Sequence, residues 1–197
     1  MQNILDGDRE EFRILIRRYR RLVSNIVFRM ISNPEDREEI GQQIFVRIYR
    51  NLPGFGFRSR LSTWIAKIAY NSCLKYLRKK KVPLYDDILQ EHGAEKDFGD
   101  LTGSRIDYVK SRVLSPDTDM ENREIHTFVL QEIENLPLQY RTVITFYHLE
   151  NMSMQEISEI IEIPLGTVKS HIFRARKIMK DRLLEKYKRE ELCLENI

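Results

Sequence analysis

Residues 152–176 read MSMQEISEIIEIPLGTVKSHIFRAR, and three signals inside them set the architecture. Ser153 and Glu156 have the S-x-x-E spacing of a capping box, in which each side chain satisfies a backbone donor of the other at the start of a helix. Ile157, Ile160 and Ile161 follow at the helical period, and Ile163-Pro164-Leu165-Gly166 makes a turn, with Pro164 acceptable in the first turn of the next helix. That helix has Val168, Ile172, Ala175, Ile178, Met179 and Leu183 on one face, and Lys169, Ser170, Phe173, Arg174, Arg176 and Lys177 outside it. A short capped helix, a tight turn and a longer helix with a basic outer face have the spacing of a helix-turn-helix, whose second helix fits a major groove. An isolated helical hairpin with a solvated face shares the periodicity but needs neither the cap nor the basic outer face.

Helical periodicity extends through most of the chain. Ile125, Phe128, Val129 and Ile133 repeat at the period of a helix over Met120 to Leu136, and Pro137 opens another that buries Val143, Ile144, Phe146 and Tyr147. In the first block Phe12, Leu15, Ile16, Tyr19, Leu22, Val23, Ile26 and Val27 make one amphipathic face. Asn33 caps a second helix, with Pro34 at its first position and Glu35, Asp36, Glu38 and Glu39 near its positive end. Pro53-Gly54-Phe55-Gly56 stops it, and a third helix starts near Ser59 or Ser62 and ends in Arg78-Lys79-Lys80-Lys81, where cations also suit the helix dipole. From Val82 to about Pro116 the period fades into acidic and small residues. Such a connector is longer than ordinary loops, yet it keeps enough apolar residues to dock. The expected fold is all-α: an N-terminal three-to-four-helix domain (1–81), an acidic linker (82–119), a four-helix helix-turn-helix domain (120–187) and a tail (188–197).

Charge follows the same division. The 197 residues carry a net charge of +3, but residues 1–81 hold 18 Lys/Arg against 8 Asp/Glu, while the linker is acidic. No acid occurs between Glu39 and Asp86, where ten bases do, and Phe45, Tyr49, Phe55, Phe57, Trp64, Tyr70 and Tyr76 are interleaved with them. Cations for phosphates and ring faces for unstacked bases are what single-strand binding needs. Phe45, Tyr70 and Tyr76 fit the helix core better than such a surface, and a lone Trp such as Trp64 is as often core. A second acid-free run, Ile163 to Lys180, makes each module basic on one side. No apolar run is long enough to span a membrane, the N-terminus lacks a signal-peptide pattern, and the cytosol is the expected compartment. Cys73 and Cys193 are far apart, His92, His126, His148 and His171 have no metal spacing, and no phosphate loop or nucleophile and base pair is present. Neither an enzyme nor a cofactor or metal site is expected.

Three stretches in order resemble the extracytoplasmic-function class of sigma factors, bacterial initiation subunits of the sigma-70 family. They are Arg37 to Arg47, similar to the core-binding helix; Ser62 to Asn71 with Tyr76-Leu77-Arg78, similar to the promoter-melting helix; and Leu136 to Arg141 followed by Met154 to Arg176, with Pro164 to Ser170 the most specific piece. The resemblance covers nearly all of the chain except linker and tail. It implies binding to core RNA polymerase through Glu39, Gln42, Gln43, Val46, Arg47, Arg50 and Leu52. It implies capture of a melted minus-ten element, with a flipped base, by Phe57, Arg58, Ser62, Thr63, Trp64, Lys67, Asn71, Lys75 and Arg78. It implies contact with the minus-thirty-five duplex through Thr167, Lys169, Ser170, Phe173, Arg174 and Arg176, shared between phosphates and bases. A dedicated anti-sigma partner covering both domains is expected by the same resemblance, as is passage of the linker toward the polymerase cleft.

Three positions depart from the family pattern. Gln43 stands where a Glu is usual, His171 where a base is common, and Glu162 where the turn has a glycine. At Glu162 either the turn bends differently or it accepts left-handed backbone, at a cost on the order of 1 kcal/mol. The competing reading, a helix-turn-helix regulator that binds duplex operators without polymerase, accounts for the last block and leaves the basic, aromatic first block unexplained.

Overall fold

The structure, a computed structural model, describes residues 9–80 and 127–194. The linker expected at 82–119 and the beginning of the helix expected from Met120 lie outside the described residues. Helix α1 (Arg9–Met30) turns Leu15, Leu22, Val23, Ile26, Val27 and Met30 inward. Asn33 caps α2 (Pro34–Asn51), its side chain accepting from the Glu35 amide at 3.0 Å, with Pro34 in the first turn. Ile40, Ile44 and Ile48, one turn apart, are the buried face of α2. A 3₁₀ turn (Leu52–Gly54) ends α2, and α3 (Leu61–Lys79) buries Ile65, Ala66, Ala69, Cys73 and Leu77. These three helices pack against one another.

The C-terminal half contains helix α4, described over 127–134, then α5 (Leu138–Ile144), which continues as a π turn (Thr145–Leu149). Helices α6 (Met154–Ile161) and α7 (Leu165–Leu194) follow. The Ser153–Glu156 capping box is fully formed: Ser153 Oγ accepts from the Glu156 amide at 3.2 Å and Glu156 Oε2 accepts from the Ser153 amide at 2.9 Å. Glu162 adopts left-handed backbone (φ 63°, ψ 41°), so the turn keeps the geometry a glycine would favour, with a non-glycine in it. Its amide donates to Ser158 O, and Ser158 Oγ donates to Ile163 O, which satisfies two carbonyls at the end of α6 and the turn. Thr167 and Val168 amides both donate to Pro164 O and start α7.

The two halves lie against each other in one continuous apolar core, with α1 meeting α5 and α3 meeting α6. Arg29, only 7% exposed, crosses the seam: it donates to Glu134 Oε1 at 2.6 Å and to Leu130 O at 3.2 Å, while Arg141 donates back to Arg29 O at 3.1 Å. Burial pushes both guanidinium groups below their ordinary pKa, and for Arg29 the ion pair with Glu134 works against that. Removing one partner of such a pair leaves a desolvated charge behind. Asn25 donates to Glu150 at 2.7 Å further along the same seam. Periodicity finds the faces of these helices but carries no sign of this seam, whose partners lie more than 100 residues apart.

Among the described residues no helix is long and apolar enough to cross a membrane. Replacing Ile65, fully buried in α3, with Ala is expected to cost about 2–5 kcal/mol, because the cavity is lined by helices that cannot collapse into it. Urea unfolding of the whole chain measures the loss; a change below 1 kcal/mol would show α3 to be loosely packed.

Candidate nucleic-acid interface

Three surfaces carry the residues of interest. On α2, Glu39, Gln42, Gln43, Val46 and Arg50 are exposed, forming the outer side of the helix whose inner side is Ile40, Ile44 and Ile48. Gln43 donates to Glu39 at 2.9 Å, a pairing one turn apart that pre-orients both side chains. Two of the expected polymerase contacts are placed differently. Leu52 is in the core at 2% exposure, supporting the helix end, and Arg47 is half-buried, donating to Ser72 Oγ at 2.9 Å.

The second surface is built from α3 and the loop before it. Phe57 is 73% exposed and holds a φ of 54°, although the loop contains Gly54 and Gly56; the left-handed position falls on the aromatic residue instead. Its ring packs on Phe55, and Phe55 on Trp64, with centroids 4.9 and 5.2 Å apart, so the stack links the loop to the helix. Trp64 is half-buried, packed on the core and still facing a shallow cavity of about 360 Å³. Arg47, Asn51, Asn71 and Ser72 supply the polar side of that cavity. Asn51 and Ser72 are absent from the sequence-derived set. Asn51 sits at the end of α2 and Ser72 on the buried side of α3, so neither carries a basic or aromatic signal. Ser72 both donates to Ile68 O and accepts from Arg47, which fixes the guanidinium over the cavity.

Arg58, Asn71, Lys75 and Arg78 are exposed, and Ser62 and Lys67 are half-buried. Thr63 is only 3% exposed, its hydroxyl donating to Glu156 Oε1 of α6 at 2.8 Å; in this arrangement of the halves it faces a carboxylate. Lys67 Nζ pairs with Glu162 Oε1 at 2.9 Å. Phe45, Tyr70 and Tyr76 pack against the core, as their periodicity suggests. At the end of α3, Tyr76 donates to Asp36, and Lys80 Nζ lies 2.7 Å from the same carboxylate. Hydrogen bonds from Lys80 and Tyr76 hold the Asp36 carboxyl below its ordinary pKa. Lys80 therefore ties α3 to the start of α2.

The third surface is the outer side of α7. Lys169, Phe173, Arg174 and Lys177 are exposed, and Thr167 and Ser170 are half-buried, with Ser170 Oγ donating to Thr167 O. Arg176 turns back toward the π turn, its Nε and Nη2 lying 3.3 and 3.1 Å from His148 Nε2 and its guanidinium 5.5 Å from the centroid of Tyr147. His171 is 3% exposed and stands edge-on to Tyr140, so it belongs to the packing of the domain and not to the basic face. Burial, with Arg174 adding to it, pushes His171 down to about 4; burial and Arg176 lower His148. Both rings are therefore neutral near pH 7. A neutral His148 can accept from Arg176 and hold it in place.

Comparison with known proteins bears on both halves. Residues 15–82 match the family model for sigma-70 region 2, and residues 129–179 match that for sigma-70, region 4. The chain is 33% identical over 184 residues to the ECF RNA polymerase sigma-E factor of Haemophilus influenzae, covering 93% of each. It is 33% identical over 183 residues to the ECF RNA polymerase sigma factor SigW of Bacillus subtilis, covering 93% of this chain and 94% of the other. Against the ECF RNA polymerase sigma-E factor of Escherichia coli K12 it is 30% identical over 186 residues, 93% and 92% of the two chains. In fold it is similar to the sigma factor RpoE solved with the anti-sigma factor NepR from Bartonella quintana (TM-score 0.60, 16% identity, 88% and 97% covered). It is similar also to CnrH solved with the cytosolic domain of CnrY (TM-score 0.56, 16% identity, 92% and 93% covered).

The histidine pair makes stability depend on pH in a defined direction. Below about pH 6.5 the unfolded chain takes up protons at these rings that the folded chain excludes, so stability falls as pH drops, down to about pH 4 for His171. The loss between pH 7 and 5 is expected to be on the order of 1–2 kcal/mol from His171 and smaller in His171→Gln. Urea midpoints at the two pH values check it; an equal pH slope in the variant would move the dependence to other groups.

Proposed function

The chain belongs to the extracytoplasmic-function class of the sigma-70 family, and from that premise we propose that its three surfaces divide the work of transcription initiation. The protein is an initiation factor that binds core RNA polymerase and directs it to promoters. The outer side of α2, with Glu39, Gln42, Gln43, Val46 and Arg50, docks on the polymerase. The loop at Phe57 and the outer side of α3, with Arg58, Ser62, Trp64, Lys67, Asn71, Lys75 and Arg78, takes the melted minus-ten strand. Asn71 donates and accepts in one plane at the cavity beside Trp64, which suits the edge of an unstacked base. Lys169, Phe173 and Arg174 meet the minus-thirty-five duplex, with Thr167 and Ser170 at the start of the helix and Arg176 positioned by His148. Thr63 joins the minus-ten set once the halves separate.

The single observation that carries this division is the cavity where Trp64 and Asn71 of α3 meet Arg47 of α2, a ring, an amide and a cation around one opening whose lining holds no acid. On this reading the factor supplies recognition and melting, and nucleotide addition belongs to the polymerase, so the chain is not itself an enzyme. It works in the cytoplasm, where polymerase and chromosome are. We also infer a dedicated anti-sigma partner covering both halves, supported by the fold shared with RpoE, solved with the anti-sigma factor NepR, and with CnrH, solved with the cytosolic domain of CnrY.

Run-off transcription from a genomic promoter pool, using bacterial core polymerase with and without the chain, tests the proposal. Discrete new starts sharing two spaced elements are expected. No new starts, together with unaided duplex binding, would favour the operator-binding regulator. Lys169→Ala and Arg174→Ala are expected to weaken promoter binding by the holoenzyme. A phosphate contact would flatten the slope of log affinity against log salt by about 0.9, and a base contact would cost about 1–3 kcal/mol at one promoter position only. Filter binding at several salt concentrations separates the two. Loss of the anti-sigma gene is expected to raise transcription from the same promoters, and unchanged transcription would remove that partner from the account.

A further inference from the structure

Three donors at the start of α3 face carboxylates from the other half of the molecule. Thr63 Oγ1 donates to Glu156 Oε1 at 2.8 Å, Arg60 Nη1 lies 3.8 Å from the same oxygen, and Lys67 Nζ lies 2.9 Å from Glu162 Oε1. Residues 60, 63 and 67 are three and four apart, so they form one strip along the first two turns of the helix. Both acceptors belong to the helix-turn-helix: Glu156 in the first turn of α6 and Glu162 at its end. We propose that Glu156 and Glu162 act as phosphate surrogates on the promoter-melting helix, so that the free factor covers part of its own minus-ten surface and must open before that surface meets DNA.

The chemistry matches at each point. A carboxylate is an oxygen acceptor of the same charge sign as a backbone phosphate, and a hydroxyl, a guanidinium and an ammonium are the donors that hold phosphates. Glu156 does this while serving the capping box: its Oε2 takes the Ser153 amide and its Oε1 takes Thr63. Glu162 occupies a left-handed position where a glycine would be unstrained, which leaves its side chain, and not its backbone, as what the residue contributes. The clasp is also built to yield. Lys67 and Glu162 remain 42% and 68% exposed, and exposed pairs are weak and screened by salt, so a polyanion competes with them directly. The apolar contact of Tyr70 with Phe146 and the buried Arg29 lie on the same seam and are untouched by that competition, so the carboxylates bias opening without deciding it alone.

The inference rests on the reading of α3 as the minus-ten surface, and the test keeps the two apart. In the full chain carrying Cys193→Ser, dyes on Glu38→Cys and Lys180→Cys, both exposed sites, report the separation of the halves by energy transfer. Glu156→Gln keeps the capping box, because Gln serves at that position as Glu does, and Glu162→Gln removes the charge at the turn while keeping the side-chain length. The double variant is expected to be more open at low salt, and Lys67→Glu with Glu162→Lys, read by distance only, to close again. In run-off transcription with core polymerase the Gln variants, undyed, are expected to reach half-maximal product at about three- to tenfold lower factor concentration. Variants as closed as the parent, or open but needing the parent's concentration, would overturn the proposal while leaving promoter recognition intact. If neither parent nor variants direct transcription, the reading of α3 fails and the clasp as a mask fails with it.

Discussion

The close packing of α3 is the constraint on which the other parts depend. Ile65, Ala66, Ala69 and Cys73 are fully buried, and α1, α2 and α6 all pack against the helix. Small side chains at three of those four positions let neighbouring backbones come near, and desolvation pushes the Cys73 thiol up to about 12, which leaves it inert. With most of its circumference occupied, α3 has only a narrow strip left for polar groups. The basic and aromatic residues that remain are thereby concentrated on that strip and in the loop feeding it.

The same constraint makes the polar seam between the halves matter. Arg29 donates to Leu130 O and Arg141 to Arg29 O across it, so part of the hydrogen bonding of these half-desolvated groups is made only when the halves are together, while Arg141 keeps its bonds to Leu136 O within its own half. At the other end of the seam, Glu156 and Glu162 meet the start of α3. Burial works to raise the Glu156 carboxyl, but hydrogen bonds from Ser153 and Thr63, helped by Arg60, outweigh it and leave it lowered. Glu162 is lowered by its hydrogen bond and charge pairing with Lys67. Both stay ionised well below neutral pH, and their contribution to holding the halves together is present above the ordinary carboxylate range and lost as pH falls through the lowered values. The donors at the start of α3 are thus held by the molecule's own carboxylates.

Much of this was legible before any coordinates. The Asn33-Pro34 start, the Pro53-Gly54 stop, the Ser153–Glu156 box and the turn at Pro164 are short-range signals, each set by backbone groups within four residues, and each stands where it was expected. Of the surface residues, those at helical spacing opposite an apolar face, such as Gln42 on α2 or Arg174 on α7, are exposed as the period implies. Leu52, which the resemblance puts among the polymerase contacts, and His171, which stands where the family commonly has a base, are both buried, since a residue at an element's end or beside a crossing helix takes its burial from a neighbour that lies elsewhere in the chain. Asn51 and Ser72 escaped notice because small polar side chains become part of a cavity only through what is packed across from them.

The sequence by itself determined the helices, their caps, the basic surface and the two regions in order, because those follow from periodicity, local hydrogen bonding and charge along the chain. Only the tertiary structure decided that Arg29 is buried against Glu134, that Arg47 leans on Ser72 beside Trp64 and Asn71, and that Thr63 and Lys67 face Glu156 and Glu162. Each of these joins residues from 25 to 105 positions apart, and local pattern holds no information about which faces meet. The physical reason is that apolar burial is non-directional: it drives the faces together, and the few polar groups caught at the seam select how they come to rest.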